Sequence, residues 1–202
     1  MDIDNLFDLF GKYELNPSTY QYFHQLMDKR TILFNADVDE DIIESVYLPM
    51  REFELDDSRE PVTLILNSSG GSVSDGFFLA HYISQYSKPL NIIVPGYAAS
   101  MAAVILAGGG KNENVIRYCF PSTYGLIHDG YIAISPSESK TAGDIMAFND
   151  EKDKEIRQFI IDNTYITAEE YDAQARHQWF LNAKQMKEKN MVDHIYGVDE
   201  DE

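Results

Sequence analysis

An α/β fold with a largely parallel sheet is predicted by the order of apolar segments and turns along the 202-residue chain. The nearly continuous apolar run Val62–Leu66 is typical of a strand buried on both faces, and Leu90–Val94 is predicted to be a second strand. A glycine-containing turn ends each of these runs, and a segment with helical patterning follows. Repeated strand–helix alternation across short turns is the pattern of a parallel sheet packed against helices.

The other elements are assigned from caps and apolar runs. Asn16-Pro17 reads as an N-cap followed by proline, which opens a helix that runs to about Lys29. Strands are predicted at Thr31–Phe34, Val62–Leu66, Leu90–Val94, Val115–Cys119, Tyr124–His128 and Met191–Ile195. Helices are predicted at Val38–Phe53, Gly76–Tyr86, Ala98–Ala107, Asp144–Asn163 and Thr167–His177, with capping boxes at Thr167/Glu170 and before a last short helix at Asn182/Gln185.

Composition limits the class of protein and its partners. Hydrophobic residues make up 44 % of the chain, an ordinary value for a globular domain. The net charge of −18 argues against nucleic acid as the main partner, because phosphates would be repelled. The longest apolar run, Ala98–Ala107, is too short to cross a membrane, and the chain does not start like a secretory signal. We therefore expect a cytoplasmic protein without a membrane partner, in which the single cysteine, Cys119, is a small buried hydrophobe.

The two glycine-containing turns are the natural places for a site, because ligands bind outside the carboxyl ends of parallel strands. Gly70-Gly71 would let a ligand approach the backbone N–H groups closely. Ser100 lies in the second turn, where the N–H groups and dipole of the following helix would favour an oxyanion. On this fragment alone, an N-cap or packing role is the simpler interpretation of Ser100. His128 ends an apolar strand and could be a base, although a structural histidine fits equally well.

Three sequence blocks lie at Asn67–Val73, Gly96–Ala103 and Tyr124–His128. In order and approximate spacing they resemble the proteolytic subunit of the Clp protease, ClpP. Similarity extends to the entry Leu26–Phe34 and to the closing segments Phe180–Ala183 and Asn190–Asp193, so the resemblance covers roughly residues 17–196. It implies a ClpP/crotonase-like fold of repeated strand–strand–helix units with C-terminal helices. It also divides the chain into a divergent segment 1–16, a peptidase domain 17–196 and an acidic tail 197–202.

The resemblance implies a serine endopeptidase that forms an acyl-enzyme and uses no cofactor or metal. By similarity, Ser100 is the nucleophile and His128 the general base, while the N–H groups of Gly71 and Met101 form the oxyanion hole. The implied substrates are peptides or unfolded proteins. The implied assembly is a homo-oligomeric ring, stacked as a double ring in the family and fed by an AAA+ unfoldase. Phage head-maturation peptidases share the pattern.

The third triad position departs from the family. Gln178 stands where an aspartate is expected, and Asp172 and Asp129 are the alternative acids. An amide can orient the imidazole of His128 but cannot stabilise an imidazolium as a carboxylate does. Three hypotheses follow: an active peptidase, a catalytically weak or inactive subunit of a mixed ring and, less favoured, a crotonase-type acyl-CoA enzyme on the related fold.

The long helix predicted at Asp144–Asn163 has two possible roles. Apolar residues along it could dock another subunit or could pack inside their own subunit, and their spacing fits both. These residues are Ile145, Met146, Phe148, Ile156, Phe159 and Ile160.

Overall fold

The computed structural model describes residues 26–129 and 142–199. Eight strands lie in these ranges: β1 Thr31–Phe34, β2 Val62–Leu66, β3 Leu90–Val94, β4 Tyr97–Ala99, β5 Val115–Cys119, β6 Tyr124–Ile127, β7 Trp179–Asn182 and β8 His194–Ile195. Strands β1, β2, β3, β5 and β8 form, in that order, a five-stranded sheet in which every pair is parallel. Strands β4, β6 and β7 form a second sheet, in which β4 and β6 are parallel and β7 is antiparallel to β6.

The helices pack around these sheets. They are α1 Leu48–Leu55, α2 Val73–Ser84, α3 Met101–Ala107, α4 Ala142–Asn163, α5 Ala168–Gln174 and α6 Ala183–Glu188, and a π-helical turn, Ile43–Tyr47, leads into α1. All seven residues of α3 are buried, so this short helix lies in the core. Its alanines allow a close approach to α2, where a Cβ added at Gly76 would lie 2.9 Å from the Cβ of Met101.

The structure confirms the α/β class, the parallel main sheet and both predicted capping boxes. The predicted helix Val38–Phe53 is wrong as one element, since a π-helical turn precedes α1 and no helix covers its first residues. The predicted helix Ala98–Ala107 is wrong at its start, because Tyr97–Ala99 is strand β4. Strand β7 was not predicted, and β8 has only two residues of the predicted Met191–Ile195. These strands are short and are defined by distant pairing partners, so local periodicity does not reveal them.

One face of the main sheet is more deeply buried than the other. In β2, Val62, Leu64 and Leu66 are buried, whereas Thr63 and Ile65 between them are only half-buried. Strand β3 has the same alternation. Among the described residues the second face of β2 is thus covered less completely than the first, a difference that the apolar run Val62–Leu66 did not predict.

Arg117 on β5 ties the C-terminal segment to the main sheet. Its guanidinium is 1 % exposed and donates to both carboxylate oxygens of Asp193, at 3.0 and 2.8 Å, and to the carbonyl and side-chain oxygens of Asn190, each at 2.8 Å. A buried guanidinium is tolerated only when its donors are satisfied and its charge is paired. Arg117 therefore acts as a clamp that places β8 at the edge of the sheet.

Two further observations concern residues named in the sequence. Cys119 is buried, as predicted, and burial raises the pKa of its thiol to about 11. In the part of the chain that the structure describes, no helix is long and apolar enough to cross a membrane. The boundary predicted between segments 1–16 and 17–196, the start of the first predicted helix and the last residues of the acidic tail lie outside the described residues.

Candidate active site

Strand β4 brings the three sequence blocks together. On one side it pairs with β6, where Ala99 lies opposite Leu126. On the other side Ser68 forms a bridge with Ala98: the Ser68 N–H donates to the Tyr97 carbonyl at 3.2 Å and the Ala99 N–H donates to the Ser68 carbonyl at 3.0 Å. The turn after β2, the start of α3 and the end of β6 consequently meet at one place.

Ser100 connects β4 to α3 in a backbone conformation that non-glycine residues rarely adopt, with φ 54° and ψ −124°. The strained strand-to-helix turn of α/β-hydrolases presents its nucleophile in a comparable way. The Ser100 N–H donates to the Leu126 carbonyl at 2.8 Å, and the Ser100 carbonyl accepts from Ala103 N–H at 2.9 Å. Ser100 occupies the N-cap position of α3, yet its hydroxyl makes no capping hydrogen bond, which argues against the N-cap role and leaves the packing role as the simpler interpretation.

Gly70 and Gly71 form the turn that packs beside Ser100. Their φ angles of 93° and 148° lie in the range that side chains disfavour. A Cβ at Gly70 would lie 2.7 Å from the Cβ of Ser100 and 2.8 Å from the nitrogen of Met101. A Cβ at Gly71 would lie 2.2 Å from the carbonyl oxygen of Val38. Only glycine fits either position, so the backbone of this turn lies directly against Ser100.

The N–H groups of Gly71 and Met101 donate no hydrogen bond to residues 26–129 or 142–199. Met101 is the first residue of α3, where N–H groups have no acceptor inside the helix. Two N–H groups beside a serine hydroxyl can stabilise the negative oxygen that forms when the hydroxyl attacks a carbonyl. The backbone here has the donors that such a reaction requires.

His128 follows β6 and is half-buried. Its Nδ1 lies 2.5 Å from the backbone carbonyl oxygen of Asp129. A carbonyl oxygen can only accept, so Nδ1 carries the proton and the basic lone pair is on Nε2. A general base of the Ser–His type uses Nε2 in this tautomer. The Asp129 carbonyl thus sets the tautomer that proton abstraction from a serine needs.

Gln178 lies opposite His128 if the pairing of β6 with β7 is continued, since Ile127 pairs with Trp179. Its side chain is exposed and forms no hydrogen bond with another described residue. Asp172 is held by Arg157, which donates to both of its carboxylate oxygens at 2.6 and 2.8 Å. Neither of these two side chains contacts the imidazole through a hydrogen bond, and the backbone of Asp129 does.

A cavity of about 310 Å³ is lined by all four candidate residues: Gly71, Ser100, Met101 and His128. Helix α4 contributes a wall to it. The lining residues from α4 are Asn149, Lys152, Asp153, Ile156 and Ile160. Sequence reasoning did not assign them to the site, although positions 149, 153, 156 and 160 recur at helical spacing and so share one face.

Tyr171 of α5 also lines the cavity, and sequence reasoning did not find it either. Burial raises the pKa of its phenol, and the negative charges of Asp129 and Asp153 raise it further. The cavity therefore combines buried apolar side chains with one carboxylate, that of Asp153. Within 26–129 and 142–199, no group of three or more His, Cys, Asp or Glu residues is placed to hold a metal ion.

Comparisons with known proteins bear on the family and the fold of the chain. The family model described as Clp protease matches residues 14–199. The ATP-dependent Clp protease proteolytic subunit of Cyanophora paradoxa is 31 % identical over 173 residues, which are 85 % of this chain and 87 % of that protein. Proteolytic subunit 1 of Shouchella clausii is 28 % identical over 89 % of this chain and 91 % of its own length. A solved structure of a mutant ClpP1 from Listeria monocytogenes matches with a TM-score of 0.71 and 21 % identity, over 85 % of this chain and 94 % of that chain.

Proposed function

The chain belongs to the Clp protease family, and on that premise we propose that it is a serine endopeptidase that cleaves peptides or unfolded proteins through an acyl-enzyme on Ser100. One observation carries the proposal. Residues from three separate sequence blocks line a single cavity in which the N–H groups of Gly71 and Met101 make no hydrogen bond to a described residue.

The proposed reaction has two stages. The Ser100 oxygen attacks the scissile carbonyl while His128 Nε2 takes the hydroxyl proton, and the oxyanion accepts hydrogen bonds from Gly71 and Met101. His128 then gives the proton to the leaving amine, which frees the first product and leaves an ester on Ser100. A water molecule, deprotonated by the same imidazole, hydrolyses the ester and releases the second product.

A second candidate function is favoured by Gln178. No carboxylate stands at the position opposite His128, so the imidazolium formed during attack lacks the usual stabilising charge. A chain of this kind would turn over slowly, or would serve as a structural subunit in a ring with active subunits. Turnover of the purified chain decides between these two functions.

Covalent labelling of the assembled protein with a fluorophosphonate probe tests the proposal. We expect the wild-type chain to be labelled, Ser100→Ala to give no label, and His128→Ala to slow labelling by at least about a hundredfold. Ser74→Ala is a matched control, since Ser74 is an exposed serine on α2. An unlabelled wild-type protein would contradict the proposal that the chain is a serine peptidase. Equal labelling of the Ser100→Ala variant would show that the nucleophile is another residue.

We further propose that the chain assembles into a ring and receives unfolded substrates from an ATP-dependent unfoldase. The assembly is supported by α4, whose residues Met146 and Phe148 are 54 % and 55 % exposed in the single chain. Farther along α4, Ile156, Phe159 and Ile160 are buried in their own subunit. The first half of α4 is thus suited to docking another subunit, and the second half packs inside its own subunit.

A further inference from the structure

The turn that contains Gly71 is held by the segment Ala36–Val38 as well as by the contacts around Ser100. The Val38 N–H donates to the Gly70 carbonyl at 2.8 Å, and the Val38 carbonyl accepts from Ser72 N–H at 2.7 Å. Gly71 lies between these two hydrogen bonds, so the direction of its own N–H depends on where Val38 is placed.

A pair of side chains reinforces this backbone pairing. The hydroxyl of Ser69 donates to the carboxylate of Asp37, and each residue directly precedes one of the backbone partners, Gly70 and Val38. Hydrogen bonds to an ionised acceptor are stronger than those between neutral groups. Ser69 also lines the cavity that contains Ser100.

Movement of this turn would displace the proposed nucleophile, Ser100, because the two are in direct contact. The Gly70 backbone leaves no space for a Cβ between itself and Ser100, Ala99 or Met101. Stabilisation of an oxyanion requires its donors to lie about 2.7–3.1 Å from the oxygen, so a small shift of Gly71 weakens the transition state more than the bound substrate.

We propose that Asp37 is a positioning residue that holds the Gly71 N–H in the oxyanion hole through its hydrogen bond to Ser69. The inference rests on the proposed function, because it concerns how that site reaches its geometry. Asp37 is exposed, and it acts on the site through Ser69.

The first test is steady-state hydrolysis of a fluorogenic peptide by the assembled full-length chain. We expect Asp37→Ala to lower kcat about three- to tenfold, the range for losing one hydrogen bond, with KM changed less than twofold. This loss is smaller than the roughly hundredfold or greater loss on removing an oxyanion donor itself, because the backbone pairing with Val38 persists.

Four variants separate positioning from a general effect of charge. Asp37→Asn keeps an acceptor for Ser69 and should recover most of the rate. Ser69→Ala should match Asp37→Ala, and the double variant should be no slower than either, because both changes break one hydrogen bond. Glu40→Ala removes the same charge from an exposed neighbouring position and should leave kcat unchanged.

Binding of a peptidyl boronic acid gives a readout independent of turnover, since its tetrahedral adduct places an oxygen in the oxyanion hole. Its affinity should fall in parallel with kcat in Asp37→Ala, while the affinity for the product peptide stays constant. Unchanged Asp37→Ala kinetics in an active protein, an equal loss in Glu40→Ala, or an effect on KM alone would overturn the inference. A wild-type protein without labelling or turnover would remove the proposed function, and this inference with it.

Discussion

At the scale of single residues, Ser100 occupies a backbone conformation that costs about 1–3 kcal/mol in folding free energy. The hydrogen bond to Leu126 and the fit of Gly70 beside the serine hold that conformation in place. Strain of this kind persists where the surrounding structure over-determines the backbone. The same surroundings place Ser100 in the lining of one cavity with Gly71, Met101 and His128.

Gln178 offers the most direct test of how complete the site is. We expect Gln178→Asp to raise kcat at least about tenfold, because a carboxylate opposite His128 would stabilise the imidazolium formed during attack. Gln178→Ala should change kcat little, since the Asp129 carbonyl already orients Nδ1. Both predictions are tested by measuring kcat and KM of the two variants with a fluorogenic peptide.

Gln174→Asp is the control for this prediction, because it places the same new charge on an exposed position of α5. A loss of rate in Gln178→Ala would show that the amide itself orients the imidazole. An unchanged rate in Gln178→Asp would show that the position is too far from His128 to act on it.

At the scale of secondary-structure elements, Glu54 joins α1 to α2 and to the turn before β3. Its carboxylate, 10 % exposed, accepts from Arg51 at 2.6 Å, from the Tyr82 hydroxyl at 2.9 Å and from the hydroxyl of Ser87 at 2.7 Å. Burial alone would raise the pKa of Glu54, but the hydrogen bonds from Ser87, Arg51 and Tyr82 outweigh it and lower the pKa. The charged carboxylate is therefore the stabilising form.

We expect Glu54→Gln to lower the free energy of unfolding by about 1–2 kcal/mol at pH 7. The folded pKa lies below the ordinary value of 4.5, so the stabilisation is complete above that pH and is lost as the pH falls through the folded pKa. Urea unfolding between pH 3 and pH 8, in steps of about one unit, measures the difference between the two proteins.

Glu52→Gln on the exposed side of the same helix should show no such difference. If the gap between wild type and Glu54→Gln stayed constant down to the lowest pH, the carboxylate charge would not be its source.

At the scale of the whole molecule, the Arg117 clamp joins β5 to a segment near the end of the described chain. We expect Arg117→Met to lower the free energy of unfolding by about 1–3 kcal/mol, because the change leaves the partly exposed Asp193 carboxylate and the Asn190 oxygens without their donor. Arg59→Met, at an exposed arginine, should change stability by less than about 0.5 kcal/mol. Denaturant unfolding measures both changes in stability. Comparable losses of stability in the two variants would contradict the stabilising role of Arg117.

The proposed ring makes a prediction about mass in solution. Wild-type chain should sediment as a multi-subunit species, and replacing Met146 and Phe148 together by glutamine should shift it towards smaller species, because two exposed apolar contacts are removed. Glu151→Gln, on the same helix, is the control for a surface change that leaves the apolar contacts intact. A monomeric wild-type chain at high concentration would contradict the ring, and an unchanged mass in the double variant would place the contact on another face.

Strands Val62–Leu66, Leu90–Val94 and Val115–Cys119 could be predicted from sequence, because each is a short, mostly apolar segment between turn residues. The helix caps at Thr167 and Asn182 could also be predicted, because a capping box involves only four consecutive residues. Strand β4 could not be predicted, because alanines carry no strand signal and its partners Ser68 and Leu126 come from distant segments.

The sequence by itself determined the fold class, the family and the candidates Gly71, Ser100, Met101 and His128, because short runs and motifs carry that information. Only the tertiary structure decided that these candidates share one cavity and that the acceptor for His128 is the Asp129 carbonyl. The contact of His128 with Asp129 joins neighbouring residues, whereas the shared cavity depends on pairing between segments far apart in the chain. Such pairing is fixed by packing of the whole domain, and local residue patterns do not encode it.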